Sequence, residues 1–355
     1  MNTILKKDFD YILCDKNIDW SELAGATILV SGASGFLPSY LIKSILYLNS
    51  LGIQKPVKIL ALVRNIEKAK AKYKDYLNDP NLVFLAQDVT KPVEISEKID
   101  YIIHAASQAS PKFFFSDPVG TINANTLGTS NLLALAKEKN VKSFLYFSSG
   151  EVCGDIFEHK NLVSEDDYGI VNPLDVRNCY SESKRMGENM CFCWNYQYGV
   201  PVKIVRPSHT YGPGFSFDDG RAFTSFVASV VKGEDIVLKS DGSAKRSFVY
   251  LADAVRAYIF VLLKGENGAA YNVGYDGEIS ILELANMLVS LSGNKNITVR
   301  REISASAPSS KVANGLLDIS KLKSMGWYPN ISEEKGFKRT MDYFIQELET
   351  QKEAR

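Results

Sequence analysis

The amino-acid sequence predicts an α/β protein with a doubly wound parallel β-sheet, and three observations support this fold class. Between residues 27 and 149, short aliphatic and β-branched runs alternate with stretches whose apolar residues recur at helical spacing. A glycine-rich turn follows the first of these runs. The chain has 355 residues, 45% of them hydrophobic, enough for one large domain or two joined ones. Alternating units of this size imply a parallel sheet covered by helices on both faces, a Rossmann-type arrangement.

The first strand, turn and helix are expected in ATILVSGASGFLPSYLIKSILYLNS. Residues 27–30 form the strand, residues 32–35 form the turn, and apolar residues recur at helical spacing over residues 37–48. Such a turn aims backbone N–H groups and the positive end of a helix at a phosphate, although a purely structural turn is an equal alternative. Pro38 replaces the third glycine of the dinucleotide-binding fingerprint. A proline is tolerated there because the first helical turn needs no N–H from it.

Further strand and helix patterns continue the alternation. They are VKILALV, a charged helix through Lys74, LVFLAQDV, YIIHAA, a helix over residues 121–139, and KSFLYFSS. In such sheets the ligand crevice lies at the carboxyl ends of the strands. Asp88 ends one strand and could meet the adenine end of a dinucleotide, or could cap a turn. Arg64 ends the second strand, where NAD-binding folds usually offer a carboxylate, and an arginine would suit the 2′-phosphate of NADP.

Composition and charge argue against several classes of partner. Lys plus Arg and Asp plus Glu number 41 each, so no net field favours nucleic acid or an anionic membrane surface. The five cysteines are odd in number and lack the spacing of a zinc site or a disulfide framework, which favours a reducing cytoplasm. The first 26 residues contain neither a signal-peptide core nor an apolar run of membrane length. We therefore expect a cytoplasmic protein with no nucleic-acid, membrane or metal partner.

A candidate acid/base pair lies in CYSESKRMGE, where Tyr180 precedes Lys184 by four positions. Residues at this spacing share one helix face, and an ammonium there favours the phenolate of a tyrosine whose ordinary pKa is about 10. This spacing alone occurs often by chance. Upstream, YFSSGEV brings Ser148, Ser149 and Glu151 to the same carboxyl edge of the sheet. A serine hydroxyl there can bind the substrate oxygen that the tyrosine deprotonates.

Together these motifs resemble the extended short-chain dehydrogenase/reductases that act on nucleotide sugars, and most closely the UDP-glucuronate decarboxylases. The resemblance runs from residue 27 to about residue 274. It is carried by HAASQASP, NTLGTSNLLALAK, SSGEVCGD, SEDDYGIVNPLDVRNCYSESKRMGE, RPSHTYGPG and KRSFVYLADAV. Several motifs in the right order are far more specific than any one of them.

The resemblance implies four catalytic residues. Ser149 takes the place of the family's catalytic threonine or serine, Tyr180 and Lys184 form the acid/base pair, and Glu151 matches the glutamate of the decarboxylases. Glu151 could instead be a salt-bridge partner. Gly150 replaces the serine of the decarboxylase signature and also the aspartate that 4,6-dehydratases use as a proton donor. A glycine can fill neither role.

The resemblance also implies binding residues. For the cofactor they are Gly32, Ser34, Gly35, Phe36, Leu37, Arg64, Asp88, Val89, Ala105, Tyr180 and Lys184, and for the substrate Ser110, Glu151, His209, Arg221 and Arg246. Ser208 and His209 stand where the family has Phe-Asn, and Gly214 stands where the decarboxylases have arginine. His209 could donate to a phosphate or pack against backbone carbonyls. Arg246 could clamp a diphosphate, and the stretch ending at Arg221 could cap a helix.

The resemblance implies an enzyme that oxidises C4 of a nucleotide-activated hexose or hexuronate to a 4-keto sugar. Decarboxylation of that intermediate is favoured over dehydration or epimerisation, and a catalytically silent dinucleotide-binding relative is the alternative from another class. NAD is favoured over NADP because several motifs outweigh Arg64, which could also lie over the adenine or pair with Glu67.

Three parts of the chain are expected. Residues 1–26 form an N-terminal helical extension. Residues 27–205 form the dinucleotide-binding domain, to which the chain returns at about 246–274. Residues 206–245 and 275–355 form a smaller C-terminal α/β substrate-binding domain.

The resemblance further implies a homodimer. Extended enzymes of this kind commonly pair through two helices of each subunit, here the helices over residues 121–139 and 180–198. The second helix contains MCFCWNYQY, which is more apolar and aromatic than one buried face requires. The alternative is that these side chains all pack inward.

Overall fold

Strands and helices alternate through the first part of the chain, as the computed structural model shows for residues 1–53, 55–156, 162–302 and 316–353. The elements of this part are α1 (Thr3–Leu13), β1 (Thr27–Ser31), α2 (Phe36–Ser50), β2 (Lys58–Val63), α3 (Ile66–Lys72), β3 (Leu82–Ala86), β4 (Tyr101–His104), α4 (Pro111–Ser116), α5 (Pro118–Asn125), α6 (Leu127–Lys139), β5 (Ser143–Phe147), β6 (Leu162–Val163) and α7 (Cys179–Tyr198). Short 3₁₀ turns occur at Trp20–Leu23, Lys74–Tyr76, Gly150–Cys153, Val176–Asn178 and Phe217–Asp219.

The second part of the chain adds shorter strands between helices. Its elements are β7 (Val202–Pro207), β8 (His209–Tyr211), α8 (Ala222–Lys232), β9 (Ile236–Leu238), β10 (Lys245–Arg246), β11 (Phe248–Tyr250), α9 (Leu251–Lys264), β12 (Ala270–Val273), β13 (Ile279–Ser280), α10 (Ile281–Ser292), β14 (Val299–Arg301), β15 (Leu316–Leu317), α11 (Ser320–Ser324) and α12 (Glu333–Glu353). Among the helices of the described residues, none combines the length and apolar character that a membrane span requires.

The central sheet has seven strands in the order β12-β7-β5-β4-β1-β2-β3. Every neighbouring pair in it is parallel. Strand β5 is buried along its whole length, as expected for a parallel strand covered by helices on both faces. The predicted α/β fold with a Rossmann-type parallel sheet is therefore confirmed.

Smaller sheets and a group of helices lie beside the central sheet. Strand β9 pairs with β14, β8 with β11, β6 with β15, and β10 with β13. Helices α8, α10 and α12 pack on one another. Helix α10 begins with a capping box, in which the Ser280 hydroxyl accepts from the Glu283 N–H at 3.1 Å and the Glu283 carboxylate accepts from the Ser280 N–H at 2.8 Å.

The helix predicted over residues 121–139 is divided at Thr126 into α5 and α6. It also begins earlier than predicted, because the Asp117 side chain caps its first turn and Pro118 occupies a first-turn position. At Thr126 the side-chain hydroxyl donates to the Ile122 carbonyl at 2.8 Å. The same carbonyl also accepts the helical bond from the Thr126 N–H at 2.9 Å, and a side-chain bond of this kind often bends a helix.

A buried carboxylate joins the N-terminal helix α1 to the rest of the fold. Asp8 is fully buried and accepts hydrogen bonds from the Tyr40 hydroxyl at 2.7 Å, the Tyr250 hydroxyl at 2.5 Å and the Arg339 guanidinium at 2.7 Å. Its partners lie on α2, at the junction of β11 and α9, and on α12. Burial raises the pKa of Asp8, and the hydrogen bonds and Arg339 act against that rise. One side chain thus connects three distant parts of the chain to α1.

Replacing Asp8 should destabilise the protein much more than replacing an exposed aspartate of the same helix. Asp8→Ala leaves two buried hydroxyls and Arg339 without their acceptor, so we expect a loss of about 3 kcal/mol in the free energy of unfolding. Asp8→Asn keeps one acceptor oxygen and should lose less. Asp10→Ala on the exposed side of α1 should cost about 1 kcal/mol or less. Urea denaturation measures all three, and equal losses for Asp8→Ala and Asp10→Ala would contradict this account.

Candidate active site

The glycine-rich turn after β1 leaves little room for a side chain at either of its two glycines. Gly32 has a φ of +66°, and a Cβ there would lie 2.7 Å from the Cα of Ala106. A Cβ on Gly35, the N-cap of α2, would lie 3.2 Å from Pro38 Cγ. Pro38 is accommodated in the first turn, as predicted, and the first helical bond from Ser39 N to Gly35 O is 3.1 Å long. The turn and the start of α2 therefore have the form that binds a phosphate through backbone N–H groups.

Two buried hydroxyls at the same edge of the sheet support the presence of a bound ligand. The Ser107 and Ser148 hydroxyls are buried and have no hydrogen-bond partner among the described residues. They follow strands β4 and β5, of which β4 lies next to β1 and β5 lies next to β4 in the sheet. Buried hydroxyls are normally hydrogen-bonded, so a bound group with polar atoms would satisfy them.

Arg64 and Asp88 are exposed after β2 and β3. The Asp88 carboxylate accepts from the Thr90 N–H at 2.9 Å, which fits the turn-cap alternative. Glu67 pairs with a lysine, Lys70, at 3.0 Å. The charge of Arg64 acts instead on Asp117. The pKa of Asp117 is lowered mainly by hydrogen bonds to its side chain, and the charge of Arg64 lowers it further.

Several of the other predicted cofactor residues lie around the turn. Phe36 and Leu37 begin α2, and the Phe36 ring packs edge-on against Phe215 with centroids 6.2 Å apart. Ser34 lies in the turn itself. The Ala105 carbonyl would lie 2.9 Å from a Cβ on Gly32.

Val89 lies behind this edge of the sheet. It is buried, and its carbonyl accepts from the Asn131 side chain on α6 at 2.8 Å. A Cβ on Gly128, also on α6, would lie 2.9 Å from a Val89 methyl group. Val89 therefore packs against α6.

Lys184 and Tyr180 lie together on α7, as predicted. The Lys184 ammonium is buried, donates to the Phe147 carbonyl at 2.5 Å, and lies 5.9 Å from the centre of the Tyr180 ring and 4.9 Å from that of Tyr146. Burial lowers the pKa of Lys184 to about 7, although Glu188 acts in the opposite direction. The lysine thus connects α7 to the carboxyl end of β5.

The pKa of Tyr180 is raised, which corrects the expectation that Lys184 would favour its phenolate in this state. Burial is the main cause and the charge of Glu151 is the second, while a hydrogen bond with Ser149 and the charge of Arg221 act against them. Phe114 contributes to the burial because its ring stacks on Tyr180, with centroids 4.9 Å apart and planes 17° from parallel. At neutral pH Tyr180 is therefore a phenol.

Glu151 has a salt-bridge partner that the sequence analysis did not identify. Arg177 approaches its two carboxylate oxygens with distances of 3.1 and 3.5 Å, and the Ser181 hydroxyl donates to it at 3.3 Å. Ser149 caps the turn that contains Glu151, its hydroxyl accepting from the Glu151 N–H at 3.2 Å. Ser149, Glu151 and Tyr180 are thus brought together as expected. Arg177 lies only three positions before Tyr180 in the sequence. This short spacing was the signal that could have identified a partner for the Glu151 carboxylate.

The glycine at position 150 has a packing explanation. A Cβ there would lie 3.0 Å from a methyl group of Leu317 in β15. Leu317 is buried with Val152, Cys153 and Val163 in a small apolar cluster. A serine or aspartate at position 150 would therefore press against this cluster.

Arg221 and Ser110 meet through Asp219. Arg221 pairs with the Asp219 carboxylate through Nε, and through Nη2 at 3.0 Å. The Ser110 hydroxyl, at the start of α4, donates to the Asp219 carbonyl at 2.7 Å. The side chain of Asp219 therefore holds Arg221 and does not cap α8, whose N-cap is Arg221 itself without a side-chain cap bond.

His209 lies near two arginines. Part of its side chain is exposed to solvent, although many protein atoms surround the ring. This burial is the main cause that lowers the pKa of His209 to about 4, and the charges of Arg246 and Arg221 lower it further. It packs edge-on against Phe248, with centroids 5.7 Å apart. Arg246 donates to the Lys245 carbonyl at 2.7 Å. At neutral pH this imidazole is uncharged and offers one N–H, while the two arginines supply positive charge.

A lysine lies close to Gly214, where the decarboxylases have arginine. The Lys72 ammonium donates to the Gly214 carbonyl at 2.6 Å, and burial lowers the pKa of Lys72 to about 8. Gly214 has a φ of +89°, which an arginine would adopt only with strain. The residues are 142 positions apart, so no sequence pattern linked them.

His104, in contrast, has a structural role. Its Nδ1 lies 2.8 Å from the Ser31 hydroxyl and its Nε2 lies 3.0 Å from the Thr129 hydroxyl. Burial lowers its pKa to about 3, so it stays neutral. It connects β1, β4 and α6.

Comparisons with known proteins agree with this geometry. The family model described as the NAD dependent epimerase/dehydratase family matches residues 28–274. UDP-glucuronic acid decarboxylase 3 of Arabidopsis thaliana is 33% identical over 311 residues, covering 87% of this chain and 86% of the plant protein. UDP-glucuronic acid decarboxylase 1 of Xenopus tropicalis is 32% identical over 333 residues, covering 93% of this chain and 75% of the frog protein.

Solved structures agree in fold. UDP-glucose 4-epimerase of Thermotoga maritima, determined with UDP-glucose, gives a TM-score of 0.76 at 23% identity, covering 91% of this chain and 99% of the epimerase. dTDP-glucose 4,6-dehydratase of Bacillus anthracis, determined in complex with NAD, gives 0.75 at 22% identity, covering 91% and 98%. The resemblance inferred from the motifs is confirmed, and with it the expectation of NAD as cofactor. The chain belongs to the NAD dependent epimerase/dehydratase family.

Proposed function

We propose that this enzyme decarboxylates UDP-glucuronate through a 4-keto intermediate. The observation that supports it most is the grouping of Ser149, Glu151 and Tyr180. In this group a hydrogen bond with Ser149 lowers the pKa of the Tyr180 phenol and the charge of Glu151 raises it. The relatives at 31 to 33% identity are UDP-glucuronic acid decarboxylases, which favours the same reaction.

NAD fits the residues at the carboxyl edge of the sheet. Gly32, Gly35 and the start of α2 would hold its pyrophosphate, and the unpartnered Ser107 and Ser148 hydroxyls would be satisfied beside it. The remaining proposed cofactor residues are Ser34, Phe36, Leu37, Arg64, Asp88, Val89 and Ala105. Bound there, NAD would supply a hydride acceptor, and afterwards a hydride donor, for C4 of the sugar.

Tyr180 and Ser149 carry the proton transfer in this proposal. Ser149 holds the C4 hydroxyl of the sugar, and the phenolate of Tyr180 removes its proton as the hydride leaves. Because burial raises the pKa of Tyr180, this step needs the ammonium of Lys184 to stabilise the phenolate. After oxidation Tyr180 is a phenol again and donates to the C4 oxygen.

The next step follows from the chemistry of a ketone beside a carboxylate. The C5–C6 bond breaks, carbon dioxide leaves, and the electron pair moves onto the C4 oxygen, which the Tyr180 and Ser149 hydroxyls stabilise. C5 then takes up a proton from solvent and the C4 ketone reforms. Return of the hydride to C4, with a proton from the Tyr180 hydroxyl to the C4 oxygen, would reduce this ketone. We place Glu151 and Arg246 beside the sugar carboxylate. Arg221, His209 and Ser110 would form the diphosphate end of the site.

Dehydration is disfavoured by one observation. A 4,6-dehydratase resembling this chain would need a proton donor at position 150, where Leu317 lies 3.0 Å from the place of a Cβ. The grouping of Ser149, Tyr180 and Lys184 likewise argues against a catalytically silent relative.

We propose that residues 27–205 and about 246–274 bind the dinucleotide and that residues 206–245 and 275–355 bind the substrate.

We further propose a cytoplasmic homodimer formed through α5, α6 and α7. All five cysteines are free thiols, which suits a reducing compartment. Ile122, Phe192 and Tyr196 are exposed by 39%, 54% and 86% on these helices. The aromatic side chains of α7 therefore do not all pack inward, which supports an interface on this side.

The function is tested with the purified enzyme and Tyr180→Phe. We expect UDP-glucuronate to lose carbon dioxide, seen by mass spectrometry, while UDP-glucose and dTDP-glucose lose neither carbon dioxide nor water. Tyr180→Phe keeps the ring but removes the proton-transfer group, so turnover should fall by ~100 to 10,000-fold with an unchanged melting temperature. The exposed Tyr328→Phe is the control and should keep full turnover. Dehydration of a hexose, or near-normal turnover in Tyr180→Phe, would refute the proposal.

The pH dependence of turnover should shift in Lys184→Met. The ammonium of Lys184 stabilises the phenolate, so its removal raises the pKa of Tyr180 and moves the acidic limb of the rate profile upward by about one pH unit or more. Lys203→Met is a matched control, because Lys203 is also buried and donates to a carbonyl, that of Leu262 at 2.8 Å. The control should keep the normal profile. If the acidic limb of the rate profile does not shift in Lys184→Met, this lysine takes no part in the proton transfer.

The dimer is tested by sedimentation at micromolar concentration. We expect the wild type to be dimeric and the double substitution Phe192→Glu with Tyr196→Glu to be monomeric, because two carboxylates would be buried in the contact. Tyr328→Glu, outside these helices, should remain dimeric. A monomeric wild type would contradict the proposal.

A further inference from the structure

Arg177 is held on several sides beside the proposed catalytic residues. Its guanidinium pairs with Glu151 at 3.1 and 3.5 Å and lies 5.9 Å from the centre of the Phe114 ring. Its backbone N–H donates to the Asp175 carboxylate at 2.9 Å, which fixes the turn leading into α7. Arg177 therefore has a defined position relative to Tyr180.

The interactions form a closed ring. The Arg177 guanidinium pairs with Glu151, and the Glu151 charge acts on Tyr180. Tyr180 stacks on Phe114, whose ring faces the Arg177 guanidinium. The Ser181 hydroxyl adds a second hydrogen bond to Glu151 at 3.3 Å. Neither the Glu151 carboxylate nor the Arg177 guanidinium is fully buried, with side chains 33% and 39% exposed, so both can meet a bound ligand.

Charge makes this ring relevant to a substrate that carries a carboxylate. Two carboxylates in one site repel each other, and a guanidinium that contacts one of them reduces that repulsion. UDP-glucuronate would add its C6 carboxylate beside Glu151, whereas UDP-glucose has only a hydroxymethyl group there. The Glu151 charge would oppose the first ligand far more than the second if it were left uncompensated.

We propose that Arg177 is a positioning residue that holds the Glu151 carboxylate beside Tyr180 and offsets its charge, so that the site accepts a hexuronate. This inference rests on the proposed function and adds the group that makes the site selective for an acidic sugar. Arg177 takes no proton or electron in the reaction. It acts through Glu151.

A second consequence concerns the pH profile. Tyr180 is faced by Glu151 from the turn after β5, by Arg221 from the start of α8, by Tyr146 from β5 and by Lys184 from its own helix. Glu151 raises the pKa of the phenol. A guanidinium paired with the Glu151 carboxylate should oppose that effect. Without Arg177 the Glu151 charge would act more strongly, and the acidic limb of the rate profile would move to higher pH.

Binding of UDP-glucuronate and UDP-glucose to the NAD-loaded enzyme tests the inference by calorimetry. In Arg177→Met we expect affinity for UDP-glucuronate to fall by about tenfold or more, as for loss of a charge-assisted contact, with at most a ~2-fold change for UDP-glucose. Arg177→Lys keeps the positive charge but not the two parallel N–H donors of the guanidinium, so its affinity for UDP-glucuronate should fall less. Arg300→Met is the control, because this exposed arginine pairs with Asp235 at 2.6 Å. It should bind both nucleotides normally.

The Glu151→Gln background separates positioning from a structural role. There the carboxylate is absent, so adding Arg177→Met should not change UDP-glucuronate affinity further. An equal loss for both nucleotides in Arg177→Met, or the same loss with and without Glu151, would overturn the inference. If the wild type binds UDP-glucuronate without releasing carbon dioxide, the proposed reaction fails while the binding comparison still decides the role of Arg177.

Discussion

The parallel register of β1, β4 and β5 is the constraint on which the proposed active site depends. Ser31 pairs with His104, and His104 pairs with Tyr146, so the three strands end at one edge. The Ser31 hydroxyl also accepts from the Ala106 N–H at 3.2 Å, which connects the end of β1 to the loop after β4. Because strand side chains alternate between faces, a slip of one residue would misplace the Ser148 hydroxyl as well as the glycine turn.

Helix α7 adds the proposed proton-transfer group to this edge through one buried contact. The Lys184 ammonium donates to the Phe147 carbonyl at the end of β5, and Tyr180 lies on the same helix face. Burial moves the pKa of Lys184 down and that of Tyr180 up, so the resting pair is close to neutral. Phe114, from α4, covers the phenol. The low polarity that suppresses charge at rest also strengthens every interaction with charge that develops during the reaction.

Sequence patterns predicted the elements and the shared helix face of Tyr180 and Lys184 because both depend on local spacing. The glycine turn, the helix through Leu48 and the pair of Tyr180 and Lys184 were all visible as short motifs. The fit of Gly150 against Leu317 was not, because it joins the turn after β5 to strand β15, which lies far away in the chain. The direction of the Tyr180 pKa shift was also missed, since sequence spacing shows the ammonium but not the burial.

The central claim is that hydride leaves C4 of the sugar and returns to the same carbon around the loss of carbon dioxide. UDP-glucuronate labelled with deuterium at C4 tests this most directly when the reaction runs in ordinary water and the product is examined by NMR and mass spectrometry. The account predicts a UDP-pentose that retains deuterium at C4 and carries a solvent-derived proton at C5. Loss of the label from C4, or a product that still contains C6, would contradict it.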